Sequence, residues 1–296
     1  MKKITKIVIV CSAILVTFVF VLFLGGSLLF HKVIAEETDA EFTYFQSVKA
    51  ILNFNADGKM EKQIKDSYLS TDHHHISIYY EEEFAELLPL TEETLDWAIK
   101  RNEEIFGETN SKSMDFIVFE EIKDLAEFSG LEQVGGYYTD LQKVLAISYR
   151  DKELILNRDE MALYHFQQMI LHEYTHYVFS RKGGNAAIYP HWFGEGLAEY
   201  IGNDQHEVPF PHFEKVAFKQ LATIEQWQAA RFSSATDVYL QSYFAIEYLI
   251  SEFGEEIISQ LIDSVGETKN FEKSLEQVTG LTIMELEEEF LKAYGK

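Results

Sequence analysis

The residues best suited to chemistry are His172-Glu173-Tyr174-Thr175-His176. Two histidines at i and i+4 lie on one face of a helix, one turn apart. Their ring nitrogens can then reach a single zinc ion at about 2.0–2.1 Å. Glu173 is rotated by about 100° from His172, so its carboxylate flanks the ion without binding it. There it can take a proton from water. In a chain with 10 His and 49 acidic residues such a pentad arises by chance in about one case in 25. Its surroundings must therefore carry the reading.

Those surroundings are helical. From about Asp159 to Ser180, Phe166, Met169, Ile170, Tyr177 and Val178 form a buried stripe, and Lys182-Gly183-Gly184 is a proper helix stop. Downstream, His191-Trp192-Phe193-Gly194-Glu195-Gly196-Leu197-Ala198-Glu199-Tyr200 begins a second helix, with 18 residues between His176 and Glu195. Glu199 stands one turn after Glu195. It is placed either to accept a hydrogen bond from His172, fixing its tautomer, or to remain a solvated surface carboxylate. His165 and His191 read as structural or surface groups rather than ligands.

At these residues the sequence resembles the gluzincin metallopeptidases, in which the two histidines are joined by a glutamate within a Trp-x-x-Glu-Gly-x-Ala segment. The 18-residue gap is similar to the aminopeptidase N and leukotriene A4 hydrolase branch, and the wider pattern to the smaller peptidase-MA-like domains. The resemblance implies that Glu195 is the third ligand of one zinc ion per chain. Two neutral imidazoles and one carboxylate would leave a position open for water. It also implies a transition-state tyrosine at the start of a later helix, where Asp237-Val238-Tyr239-Leu240-Gln241-Ser242-Tyr243 stands. The register selects Tyr239, with Tyr243 one turn on as the alternative and plain packing as the rival role for Tyr239.

The resemblance covers roughly residues 75–296, closely over 172–200 and loosely elsewhere. It departs from the aminopeptidases in one respect. No Gly-Ala-Met-Glu-Asn element is present, and Val134-Gly135-Gly136-Tyr137 occupies the comparable region without that glutamate. The expectation is an endopeptidase rather than an aminopeptidase. The contrasting reading is a non-catalytic zinc-binding sensor or interaction module of the cell envelope, and a zinc held only for structure is a third.

Around the site, Ile76–Tyr80, Phe116–Phe119 and Val144–Ile147 are strand-like runs, with a short helix and the turn Gly135-Gly136 expected between the last two. Val144–Ser148 is expected to offer its edge to an extended peptide. Thr91 reads as an N-cap of a helix that stops at Gly107. His73-His74-His75 reads as a polar lead-in to the first strand, because neighbouring strand residues face opposite ways. Later helices are expected over about Val238–Phe253, Glu255–Val265 and Thr282–Ala293, the last opened by a Thr282/Glu285 capping box. Strands early and helices late indicate an α+β fold. With the resemblance, this becomes a thermolysin-like domain with a small N-terminal mixed sheet and a helical C-terminal half.

The N-terminal end differs from the rest. Ile7–Phe30 is a run of 24 residues without a charge, long enough for a membrane-spanning helix, preceded by Lys2, Lys3 and Lys6. The positive-inside bias puts the N-terminus in the cytoplasm and the rest outside. A cleaved signal peptide, with Val33-Ile34-Ala35 as its cleavage site, is the rival; it would leave the protein secreted. We favour an anchor, because a signal peptide's apolar region is about 7–15 residues. The expected organisation is therefore 1–35 as a transmembrane anchor or signal peptide, 36–75 as a juxtamembrane segment of unclear role, and 76–296 as a metallopeptidase-like domain. A short amphipathic helix through Tyr44, Phe45, Val48, Ile51 and Leu52 and a turn at Asn55–Gly58 are expected within the middle segment. Cys11 is the only cysteine, so no disulfide braces the protein. Residues 36–296 carry 21 basic and 49 acidic groups, which argues against nucleic acid and against anionic lipid headgroups. Such a surface suits solubility and would also favour cationic substrates. The expected partners are a peptide or protein substrate and, through the N-terminal helix, a membrane.

Overall fold

The computed structural model describes residues 58–184, 186–210 and 214–294, together with residues 15–19, 21, 24–29, 31, 32 and 48. It divides into two compact units. The first takes residues 1–68 and 141–143. Its described helix is α1 (Lys59–Ser67), where Glu61 accepts from the Gly58 amide at 3.2 Å, pairs with Lys65 at 2.6 Å and accepts from Gln142 at 3.0 Å.

The second unit, residues 69–140 and 144–296, carries the elements that surround the pentad. Its five-stranded sheet has the order β1-β2-β3-β5-β4, from β1 (Leu69–His73), β2 (Ile76–Tyr80), β3 (Met114–Phe119), β4 (Gly136–Thr139) and β5 (Val144–Ser148). The β2–β3 and β3–β5 pairs are parallel, and the outer strands β1 and β4 run antiparallel to their neighbours. The crossover between β2 and β3 is α2 (Leu88–Phe106), and α3 (Ile122–Ser129) follows β3. After α4 (Lys152–Leu156) the chain is helical: α5 (Glu160–Gly183), α6 (His191–Gly202), α7 (Ile224–Arg231), α8 (Val238–Phe253), α9 (Glu256–Thr268), α10 (Phe271–Thr279) and α11 (Ile283–Tyr294). An α+β chain with an N-terminal mixed sheet and a C-terminal helical region results.

Local chemistry explains the boundaries. Asp159 caps α5 by accepting from the Ala162 amide at 3.1 Å, and Asp237 caps α8 from Leu240 at 3.0 Å. Gly107 and Gly254, at φ +72° and +85°, end α2 and α8 in the region that favours glycine. The Thr282–Glu285 capping box opens α11.

The helices pack closely because small residues allow it. A Cβ on Gly196 of α6 would stand 2.6 Å from the Ser242 carbonyl oxygen of α8, and one on Gly202 would stand 3.4 Å from His172 Cβ of α5. Trp192 of α6 is buried and stacks on Phe218 at 4.2 Å. Burying side chains of this kind contributes about 1.5–3 kcal/mol each.

Several expectations are corrected here. The transmembrane helix is not borne out: among the described residues no helix is long and apolar enough to cross a membrane. A span needs about 20 continuous helical residues, and the described helical stretches in this region are 15–19 and 24–29. Other residues of Ile7–Phe30 lie outside the described set. The membrane as a partner, and a single-pass location with the catalytic domain outside, fall with that helix. Among residues 44–57, only Val48 is described, so the expected amphipathic helix and most of the turn at Asn55–Gly58 lie outside the described residues.

Thr91 is not an N-cap. The helix begins a turn earlier at Leu88, with Pro at its start, and buried Thr91 donates to the Leu87 carbonyl at 2.9 Å. β5 presents no edge, because it lies between β3 and β4; β4 is the outer strand on that side.

Candidate metal centre

α5 and α6 pack against each other and bring the His172 and His176 rings to the Glu195 carboxylate. The two Nε2 atoms are 3.2 Å apart. His172 Nε2 is 3.7 Å from Glu195 Oε2, and His176 Nε2 is 3.7 Å from Glu195 Oε1. Ligand atoms of all three residues lie within 4.8 Å of one another, close enough to coordinate one metal ion. Two ligands of a tetrahedral ion at 2.0–2.1 Å stand about 3.3 Å apart. The donor set therefore fits a single small cation, and its two nitrogens and carboxylate match the ligand chemistry of zinc.

Burial and mutual charge tune these groups. Burial pushes the Glu173 carboxyl up to about 8, against the pull of His172, and pushes Glu195 up to about 7. Burial opposes a charge on His172, but Glu199, Glu173 and Glu195 outweigh it and hold its imidazolium up to about 9. His176 is lowered well below the ordinary histidine value by burial and by His172 and His191.

Glu199 is not a solvated surface group. Its Oε1 stands 3.1 Å from His172 Nδ1, at an angle too poor for a full hydrogen bond, and its Oε2 accepts from Asn203 at 3.1 Å. Asn203 in turn accepts from the Tyr164 hydroxyl. Tyr239 lies on the same cleft as the pentad, a space of about 640 Å³, whereas Tyr243 does not line it. The Tyr243 hydroxyl points to Glu247 at 3.4 Å.

The structure adds three contacts in the cleft, the first at His191, which reads from the sequence as a structural or surface group. His191 Nε2 sits 3.3 Å from Glu195 Oε1, and its ring meets Trp227 edge-on at 5.2 Å. The i, i+4 spacing to Glu195 was the available signal. Arg231 donates to the Tyr239 hydroxyl at 3.2 Å and to the Glu132 carbonyl at 2.6 Å, a meeting of distant segments with no local signature. Gly136 of β4 lies directly against Glu173, where a Cβ would overlap the carboxylate.

A second group close enough to hold a metal is His73, His74 and Asp96. The expectation that consecutive histidines diverge holds for His75, which stacks on Tyr177, but fails for His73 and His74.

The α+β fold is peptidase-like, the His172, His176 and Glu195 cluster is close enough to coordinate a metal ion, and residues 144–294 match the peptidase MA superfamily. The chain belongs to that superfamily. It is also 34% identical over 256 residues to an uncharacterized protein, YhcO, of Bacillus subtilis (strain 168), an alignment covering 84% of this chain and 80% of that protein.

Proposed function

We propose that the chain is a zinc-dependent peptidase that cleaves internal peptide bonds of polypeptide substrates, with His172, His176 and Glu195 as the metal ligands. The observation that supports this most is the convergence of those three side chains beside the buried carboxyl of Glu173. The catalytic domain in this reading is 76–296, with β1 (Leu69–His73) added to its sheet.

Zinc held there would polarise the scissile carbonyl and acidify the attacking water. Glu173 takes the proton from that water as oxygen bonds to the carbonyl carbon, then delivers it to the amide nitrogen as the C–N bond breaks. Its raised affinity for protons suits it to both transfers. Glu199 Oε1, 3.1 Å from His172 Nδ1, would accept its N–H once the ring settles on a metal and so turn the Nε2 lone pair toward the ligand cluster. Tyr239 donates its hydroxyl proton to the developing oxyanion; its oxygen accepts from Arg231, which has no acceptor to offer in return. An extended substrate lies along β4, the outer strand that lines the cleft.

The test pairs metal analysis with turnover. The full chain should hold about one zinc at this centre, lost in His176→Ala, and should cleave an unfolded polypeptide. Glu173→Gln should keep the zinc and lose turnover. A wild type that binds zinc and cleaves no peptide under any condition would leave the non-catalytic binding module in its place.

A further inference from the structure

A second pair of imidazoles meets a carboxylate among residues that do not line the cleft. β1 and β2 are joined by a two-residue turn, His74-His75, between the paired residues His73 and Ile76. Turns of this length need a positive φ at their first position, which Gly, Asn or Asp ordinarily supplies. Here His74 supplies it, at φ +54°. Something outside the turn also meets this side chain.

That something is Asp96 of α2. His73 Nε2 and His74 Nε2 each stand 2.8 Å from Asp96 Oδ1, and the two rings meet edge to face at 4.4 Å. The left-handed backbone breaks the alternation of a strand and swings two consecutive side chains to one side. Nearby Asp72 is engaged with Ser77 at 2.7 Å and takes no part. The His74 and Asp96 side chains are about half exposed, so water can complete a coordination shell.

We propose that His73, His74 and Asp96 form a second, solvent-open site for a divalent cation of the zinc, nickel or copper kind, which fastens the β1–β2 turn to α2. Two imidazoles favour these cations over calcium or magnesium, which take oxygen ligands. The site has a route to the metal helix. His75, the next residue, stacks on Tyr177 at 5.6 Å and places Nε2 3.3 Å from the Tyr174 hydroxyl. Tyr174 follows Glu173 in α5, so a cation at the turn braces the segment that carries the proposed base. The site itself stands whether or not the chain is a peptidase.

The experiment titrates the metal-stripped full chain with zinc alone and counts ions by equilibrium dialysis. Wild type should bind two per chain. His74→Gly suits the turn and keeps the fold, so it should bind one, with the second weakened at least ~10-fold. His176→Ala should lose the other ion and keep this one, and zinc should still raise its melting temperature. Asp96→Asn should repeat the loss seen in His74→Gly. A wild type that binds one ion, abolished by His176→Ala, overturns the proposal. So does a second ion that survives both His74→Gly and Asp96→Asn. A wild type that binds one ion, lost in His74→Gly and kept in His176→Ala, would instead count against the proposed catalytic centre.

Discussion

Gly136 and Glu173 touch because Gly136 has no side chain. A Cβ at position 136 would overlap the Glu173 carboxylate, standing 2.6 Å from its Cγ and 2.8 Å from its Cδ. The φ of Gly136 is not in the left-handed region, so the requirement is one of space rather than backbone conformation. β4 thus forms one wall for the proposed base. Gly136→Ala should displace that carboxylate and lower turnover by about 10²-fold, since a misplacement of about 1 Å has that effect. Zinc content and melting temperature should change little. Unchanged kinetics would show that Glu173 tolerates the displacement.

Glu199 contacts His172 from behind, so its removal should weaken the metal rather than the chemistry. Glu199→Ala is expected to lower zinc affinity by about 10–100-fold. Competition with a chelator measures this directly. A variant with wild-type affinity would reduce Glu199 to a packing role.

The two tyrosines of α8 should separate cleanly. Tyr239→Phe should reduce kcat by about 10²–10³-fold with KM nearly constant, the cost of losing one oxyanion donor. Tyr243→Phe should leave kcat within a few-fold, because its hydroxyl faces Glu247 away from the cleft. The reverse ranking would reassign the donor.

Zinc uptake should release protons. His172 in the metal-free protein is held charged up to about 9, and a ligand ring must be neutral. Binding at pH 7.5 should expel at least about one proton per zinc, and affinity should rise with pH and level off above about 9. Calorimetry in two buffers of different ionisation enthalpy gives the count; zero would contradict a charged His172. The sign for the metal-free fold follows from the same raised value. The stabilisation from charged His172 is present in full below the ordinary value of 6.5 and is lost as pH rises through about 9.

Gly196 tests how closely α6 must approach α8. Gly196→Ala places a methyl 2.6 Å from the Ser242 carbonyl oxygen and 2.8 Å from the Ile246 side chain. Overpacking of this kind costs about 1–3 kcal/mol. Thermal unfolding should record it, with a loss of zinc affinity as Glu195 shifts. No change in melting temperature would mean that the helices separate at no cost.

Elements closed by local signals were legible in the sequence. Asp237 and Gly254 bound α8 at both ends, Asp159 opens α5, and Thr282 with Glu285 opens α11; each acts within a turn of its own backbone. Thr91 misled for the same reason. Its type and following acids match a cap, but Pro89 stands in the first turn of a helix that already begins at Leu88. The short outer strands β1 and β4 passed unnoticed, since each has its pairing written in a partner strand. β4 moreover begins at the glycine that a sequence reader takes for a turn.

The sequence by itself determined the pentad His172–His176, the helix that presents it, and the Trp-x-x-Glu-Gly-x-Ala segment, all within the stretch that matches the peptidase MA superfamily. Those are matters of residue type at fixed helical spacing, and a helix converts spacing into direction without help from the rest of the chain. Only the tertiary structure decided that Glu199 stands behind His172 and that Tyr239 rather than Tyr243 lines the cleft. It also decided that Arg231 reaches Tyr239, that Gly136 walls Glu173, and that His73 and His74 converge on Asp96. Each of these pairs groups from separate elements, or turns on a single backbone angle in a hairpin. Their meeting depends on how whole helices and strands pack, which no local pattern encodes.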